Sequence, residues 1–298
     1  MIKNYSAFIR SFLFLSWMFF HSSCEKFDKE EAIPSYISIP SIQLVVPDSL
    51  KSIQGSASAK ISDAWVFIDD KLQGTYELPA KFPVLKDGKH TLKIKAGIKE
   101  NGIGSTRPAY PFYGEYIEEL NLKTDSIVVV HPKVYYLSYT NFVWKENFEG
   151  VATTLKVSDY SDTSFKLVNN SSLVFEGSKS LYGAVDDTRR VLELKSSNAF
   201  QLSTNGNPVF LELNYKCNSP LYVGFIANNP LLPTPQPVIT LNPTFDGTEY
   251  VWNKIYINLS DFLGEYYQAT NFNIVFRFEK SDNVSVSEVF LDNIKLLQ

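Results

Sequence analysis

The sequence predicts an all-β protein made of two consecutive β-sandwiches, and three observations predict it. From Ser35 onward, no stretch of about ten residues or more repeats apolar side chains at a 3.6-residue period. Short apolar-alternating runs recur instead roughly every eight to twelve residues, between Gly, Pro, Asn and Asp punctuation. Aromatic residues make up 14% of the chain, with 22 Phe and 17 Tyr, a bias that favours pleated, half-buried strands. The length of 298 residues allows two domains with a core each. A hydrophobic fraction of 44% against 20% charged residues excludes a disordered or coiled-coil chain. The net charge of -4 lacks the basic footprint of a nucleic-acid binder.

The first element is an address. Lys3 and Arg10 precede the apolar run 11–20, which ends in His21-Ser22-Ser23-Cys24. The run is shorter than the about 20 apolar residues that span a bilayer, and it has signal-peptide length. The ending resembles a bacterial lipoprotein lipobox, with His21 departing from the usual leucine-like residue. That resemblance implies a signal peptide over 1–23 and lipidation of Cys24, hence a membrane anchor. The tether 24–34 carries Glu25, Lys26, Asp28, Lys29, Glu30 and Glu31 and is expected to stay solvated. It resembles the acidic stretch of surface-exported lipoproteins of Bacteroidota, which implies an outer-membrane protein facing the cell surface. Cys217, the other cysteine, is expected to be a small buried hydrophobe.

The first sandwich is expected over 35–143. Candidate strands are Ser41–Val46, Ala57–Ile61, Ala64–Ile68, Leu72–Glu77, His90–Ala96, Tyr116–Leu122 and Ser126–Val130. Asp69-Asp70-Lys71 and Asp87-Gly88 read as tight turns, and the segment from Asn101-Gly102 to Pro108 as a loop. The stretch WVFIDDKLQGTYELPAKFPVLKDGKHTLKIKAG resembles the small modules called PEGA-type repeats. It implies an immunoglobulin-like spacer without activity.

The second sandwich is expected over 144–298. Ile255, Ile257 and Leu259 share one strand face, with Tyr256 and Asn258 on the other; Phe272, Ile274, Phe276 and Phe278 alternate inward. Four motifs follow in order: Phe148-Glu149-Gly150, Gly177-Ser178-Lys179-Ser180-Leu181, Trp252 to Ser260, and Leu291-Asp292-Asn293-Ile294. Together they resemble jelly-roll carbohydrate-binding modules, which implies a two-sheet jelly-roll sandwich. The same resemblance implies a structural calcium shared by Glu149 and Asp292. The alternative is that Asp292 hydrogen-bonds a neighbouring turn while Glu149 is exposed.

Catalytic chemistry finds little purchase. His90 and His131 lie at strand ends without a nucleophile motif beside them. The acid pairs Asp69-Asp70, Glu118-Glu119 and Asp186-Asp187 are adjacent residues, which diverge on a strand or cap a turn. Candidate partner-binding aromatics are Tyr222, Tyr250, Trp252 and Tyr256, with Tyr266 and Tyr267 behind them. Tyr250, Trp252, Tyr256 and Asn258 share one strand face, read either as a binding face or as a second inner face. The proline-stiffened loop 228–237 suits recognition. The expectation is a non-catalytic envelope lipoprotein, with no required cofactor, that binds a glycan or a surface protein through its jelly-roll. An accessory of an outer-membrane complex is the alternative. An envelope glycoside hydrolase, the third, needs two carboxylates roughly 5 to 9.5 Å apart in a cleft.

Overall fold

The computed structural model describes residues 32–228, 235–245, 247–249 and 251–298. Cys24, the leader, Tyr250 and most of the loop 228–237 lie outside the described residues.

Nine strands build an immunoglobulin-like first sandwich: β1 (Ser35–Ile39), β2 (Gln43–Leu44), β3 (Asp63–Ile68), β4 (Lys71–Glu77), β5 (Ala80–Val84), β6 (Gly88–Gly97), β7 (Tyr116–Leu122), β8 (Ile127–Val129) and β9 (Lys133–Val134). One sheet runs β5-β1-β8 and the facing sheet β4-β3-β6-β7, with β2 and β9 as a separate parallel pair. Ile37, Ile39 and Phe82 of the first sheet meet Val66, Leu92 and Ile94 of the second in one core. Asp69 and Asp70 both take positive φ (49° and 61°), the turn geometry that matches the twist of the β3–β4 hairpin. The Asp69 carboxylate there accepts from Lys86 Nζ at 2.8 Å and the Thr91 amide at 3.1 Å and pairs with His90 Nδ1 at 2.8 Å. These partners, Lys86 first, hold it well below the usual carboxylate range.

Two readings of this half need correction. Ala57–Ile61 is not a strand: the Lys60 amide donates to the Tyr256 hydroxyl at 2.9 Å, across to the second sandwich. β1 and β5 were not among the expected strands, the latter because Pro83 breaks the pattern. Proline is tolerated there since β5 is an edge strand.

Eleven strands build the jelly-roll: β10 (Phe142–Glu146), β11 (Leu155–Val157), β12 (Lys166–Val168), β13 (Ser180–Val185), β14 (Val191–Ser196), β15 (Phe210–Cys217), β16 (Leu221–Ala227), β17 (Gln236–Leu241), β18 (Asn253–Asn258), β19 (Phe272–Glu279) and β20 (Ser287–Leu297). One sheet runs β12-β13-β20-β15-β18, and β10 adds to β20; the other runs β11-β14-β19-β16-β17. β20 serves both β13, through Ser287 to Leu291, and β10, through Ile294 to Leu297. Between these halves Asp292-Asn293 forms an irregularity, with Asn293 at φ 46°. Asparagine is among the few residues that enter this region readily. Asn141 and Gln298 exchange backbone hydrogen bonds where the chain enters β10, so the expected 143/144 border falls inside a strand. The alternation read from sequence stands: Ile255, Ile257, Leu259, Phe272, Ile274, Phe276 and Phe278 are all in the core.

Candidate functional site

The site grows from one strand that is buried on both faces. Leu211, Leu213, Tyr215 and Cys217 of β15 point into the jelly-roll core. Phe210, Glu212, Asn214 and Lys216 point the other way, yet all are buried. The first sandwich covers part of this outer sheet face. Tyr110, Phe112, Tyr113 and Tyr136 pack there with Phe210, Tyr256 and Leu297.

A buried ionic group sits in that contact. Glu212 is opposite Lys295 on β20 and Tyr256 on β18 in the sheet register. Its carboxylate accepts from Tyr110 Oη at 2.8 Å and from Tyr136 Oη at 3.1 Å. Lys254 Nζ lies 3.0 Å from Oε2, and Lys295 Nζ donates to Tyr136 Oη at 3.0 Å. Burial alone would raise the Glu212 carboxyl, but Lys254 and Lys295 outweigh it and hold it below its ordinary value. Burial pushes the Lys295 amine down to about 7. Tyr113 and Tyr256 close the group, hydroxyl to hydroxyl at 3.1 Å.

Beside this contact the two sandwiches leave a cleft of about 420 Å3. Lys60, Ser62, Lys99, Asn101 and Gly102 form one wall; Tyr215, Asn242, Thr244, Trp252 and Asn253 belong to the other. The first wall is fixed to β18. Besides the Lys60 amide bond to Tyr256, Asn101 donates its amide to the Tyr256 carbonyl at 2.9 Å and accepts the Asn258 amide at 2.9 Å through Oδ1. Asn101 and Gly102, with φ 54° and 69°, make the tight turn that presents these groups. Across the cleft Lys60 Nζ donates to Asn253 Oδ1 at 2.5 Å, and Asn253 Nδ2 donates to Tyr215 Oη at 3.1 Å.

Among the described residues, the indole N–H of Trp252, on the cleft wall, and Oδ1 of Asn214, which does not line the cleft, are buried on this sheet face without a hydrogen-bond partner. Asn214 is only 1% exposed. It lies opposite Lys254 in the register, and Lys216, two residues on, sets its amine 5.1 Å from the centre of the Trp252 ring. The two atoms are thus a donor and an acceptor on one sheet face. Trp252 also packs edge-on to Phe175 (5.4 Å) and Phe290 (6.3 Å).

The expected site residues separate. Trp252 lines the cleft, half-buried. Tyr256 is 1% exposed and cannot be an open platform, because the first sandwich covers the face it shares with Trp252. Tyr222 lies on the opposite sheet, on β16, across from Thr240 and Arg277. Tyr266 and Tyr267 follow the short helix Ser260–Gly264. Sequence reasoning missed Glu212, Lys254 and Lys295, although the polar residues at every second position of FLELNYKC mark a second face. Asn101 carried an Asn-Gly turn signal; Lys60 carried none.

Glu149 and Asp292 do not fit a calcium ion. Glu149 accepts from the amides of Ser178 and Lys179, at 2.8 and 2.9 Å, and from the Ser178 hydroxyl. Asp292 accepts from Ser180 Oγ at 2.6 Å and the Asn293 amide at 2.7 Å. Both carboxylates therefore hold the turn 176–180, so the motifs at 148–150, 177–181 and 291–294 meet at one turn. Gly177, at φ 73°, belongs to that turn, and a Cβ there would run into the Glu149 carboxylate. Among the described residues no three His, Cys, Asp or Glu side chains form a group suited to a metal ion. Burial pushes Asp292 up to about 6. Cys217 is free and buried, its thiol pushed up to about 12 by burial.

No protein-family model matches the chain, and no curated protein matches it. Solved structures with a similar backbone include a family 28 carbohydrate-binding module specific for non-crystalline cellulose (14% identity, 51% of this chain, 91% of that one, TM-score 0.35). Another is a family 61 module in complex with β-1,4-galactotriose (12% identity, 48% of this chain, 85% of that one, TM-score 0.30). A third is the K3 cleaved adhesin domain of Lys-gingipain from Porphyromonas gingivalis W83 (12% identity, 53% of this chain, 99% of that one, TM-score 0.34). All are distant likenesses.

Proposed function

We propose that this protein is a non-catalytic, lipid-anchored outer-membrane lipoprotein that binds a glycan in the cleft between its two sandwiches. The observation that carries the reading is the half-buried Trp252 ring on the cleft wall, its indole N–H without a partner among the described residues, beside a wall of amide side chains. A sugar ring can stack an apolar face on such an indole, while its hydroxyls, which donate and accept at once, meet the amides around it. The side-chain amides of Asn101 and Asn242 on the cleft walls supply further orienting bonds. This is binding chemistry, with stacking and hydrogen bonding as its means. Cys24 would hold the protein to the membrane through its lipid, with the PEGA-like first sandwich acting as one wall of the site.

A glycan array of the full chain in detergent tests this, with wild type beside Trp252→Ala and Tyr222→Ala. Specific binding lost in Trp252→Ala and kept in Tyr222→Ala is the expected result. Because Trp252 is half-buried at a rim, its replacement should leave the fold intact, which a melting curve checks. Binding lost in Tyr222→Ala alone would move the site to the opposite sheet. No glycan binding at all would leave a protein partner as the better reading.

A further inference from the structure

The two walls of the cleft differ in charge. On the jelly-roll side the lysine nearest the cleft, Lys254, is neutralised by Glu212 at 3.0 Å. On the first-sandwich side Lys99 shares Glu77 with Arg107, at 3.3 and 3.2 Å. Lys60 pairs with no carboxylate among the described residues, and its one side-chain bond goes to a neutral amide. Burial, and then the charge of Lys99, lower its affinity for the proton, as expected of an ammonium held near a second cation. Its position is built in, because the Lys60 backbone amide is bonded to the buried Tyr256 hydroxyl. An anion seated between Lys60 and Lys99 would offset this repulsion.

Resting on the glycan reading above, we infer that the cleft selects an anionic saccharide, one whose ring meets Trp252 and whose carboxylate or sulfate meets Lys60 and Lys99. The jelly-roll wall then reads the sugar and the first sandwich reads its charge. The site is incomplete without either sandwich, so the first is part of the receptor and not a spacer.

Retardation of the full chain in gels containing polygalacturonate, fully methyl-esterified pectin, dextran sulfate or dextran tests this. Stronger retention by a polyanion than by its neutral counterpart is expected, weakened about tenfold in Lys60→Met and kept in Lys60→Arg. Retention by polygalacturonate alone assigns a carboxylate; retention by dextran sulfate alone assigns a sulfate. Lys89→Met, at an exposed lysine of β6, should change nothing. Equal weakening in Lys89→Met would show diffuse attraction to polyanions and overturn the inference. Equal retention by charged and neutral polymers, lost in Trp252→Ala but not in Lys60→Met, would overturn it and leave the glycan reading standing. No retention by either polyanion also overturns it, and the glycan array then decides the broader reading separately.

Discussion

The two faces of β15 are equally buried and built on opposite principles. The inner face, Leu211, Leu213, Tyr215 and Cys217, is closed by the facing sheet of the same sandwich. The outer face, Phe210, Glu212, Asn214 and Lys216, is closed in part by a separate sandwich. Apolar packing is non-directional and tolerates small changes of angle between the layers. The outer face demands matched partners, since an unmatched buried polar group costs about 1–3 kcal/mol and a charge more. At one end Tyr110 and Tyr136 supply those partners to Glu212. Asn214 Oδ1, two residues on, has none among the described residues. The same strand face thus passes from matched to unmatched polar groups within two residues.

The largest expected effect breaks the comparison at its centre. Glu212→Ala leaves Lys254 a buried cation without its counter-ion and Lys295 without its carboxylate, and should cost about 3–5 kcal/mol. Leu213→Ala, on the inner face, should cost about 2–5 kcal/mol from lost packing and a cavity. The distinction lies in the rescue. Replacing Glu212, Lys254 and Lys295 together by Met removes every charge of the group and should restore most of the stability, while no polar change rescues Leu213→Ala. Urea unfolding of the four proteins measures this. A Glu212→Ala loss below about 1 kcal/mol would mean that the group is solvated and the interface loose.

The inner face was the legible one. Period-two alternation reports directly which side chains meet a core in the same domain, so Ile255, Ile257 and the phenylalanines of β19 were readable. The turns at Asp69-Asp70 and Asp87-Gly88 were readable for a similar reason, since their chemistry is local. A polar strand face, by contrast, looks alike whether water or another domain covers it. The face that carries Tyr256 therefore reads equally as a binding face or as an inner one, and the structure makes Tyr256 buried; Glu212 gives no signal of its own. The calcium expectation for Glu149 and Asp292 came from the right neighbourhood: both acids do converge on 176–180, but they meet amides and hydroxyls there. Lys60 lay beyond reach, because its place at the cleft depends on a backbone bond to a residue almost two hundred positions away.

Asp292 gives the next effect, and it sharpens the comparison through pH. It stands opposite Asn214 in the sheet, fully buried. Burial raises its carboxyl from 3.8 to about 6, so the folded state favours the protonated form. Its contribution is therefore fully present below about pH 4 and is lost as pH rises through 6, a change of about 3 kcal/mol. Asp292→Asn cannot titrate. The stability difference between wild type and Asp292→Asn, followed by urea unfolding from pH 4 to 7, should shift by about that amount in favour of the variant. Calcium added at pH 7 should leave the wild-type melting temperature unchanged. A rise that Asp292→Asn abolishes would restore the ion to this place.

The smallest effect separates charged from neutral partners inside the interface itself. Tyr110 Oη donates to the Glu212 carboxylate at 2.8 Å, whereas Tyr113 Oη meets neutral hydroxyls, that of Tyr136 and that of Tyr256 at 3.1 Å. Removing a donor from an ionised acceptor should cost about 1.5–3 kcal/mol, and from a neutral one about 0.5–1.5 kcal/mol. Tyr110→Phe should therefore lose more stability than Tyr113→Phe, with ring packing preserved in both. The Tyr110→Phe loss should also shrink in a Glu212→Met, Lys254→Met, Lys295→Met background, where the hydroxyl no longer has an anion to hold. Tyr113→Phe should cost the same in either background. Equal losses for the two tyrosines in the wild-type chain would mean that the Glu212 charge does not set the strength of this contact, and that shape alone fixes the angle between the sandwiches.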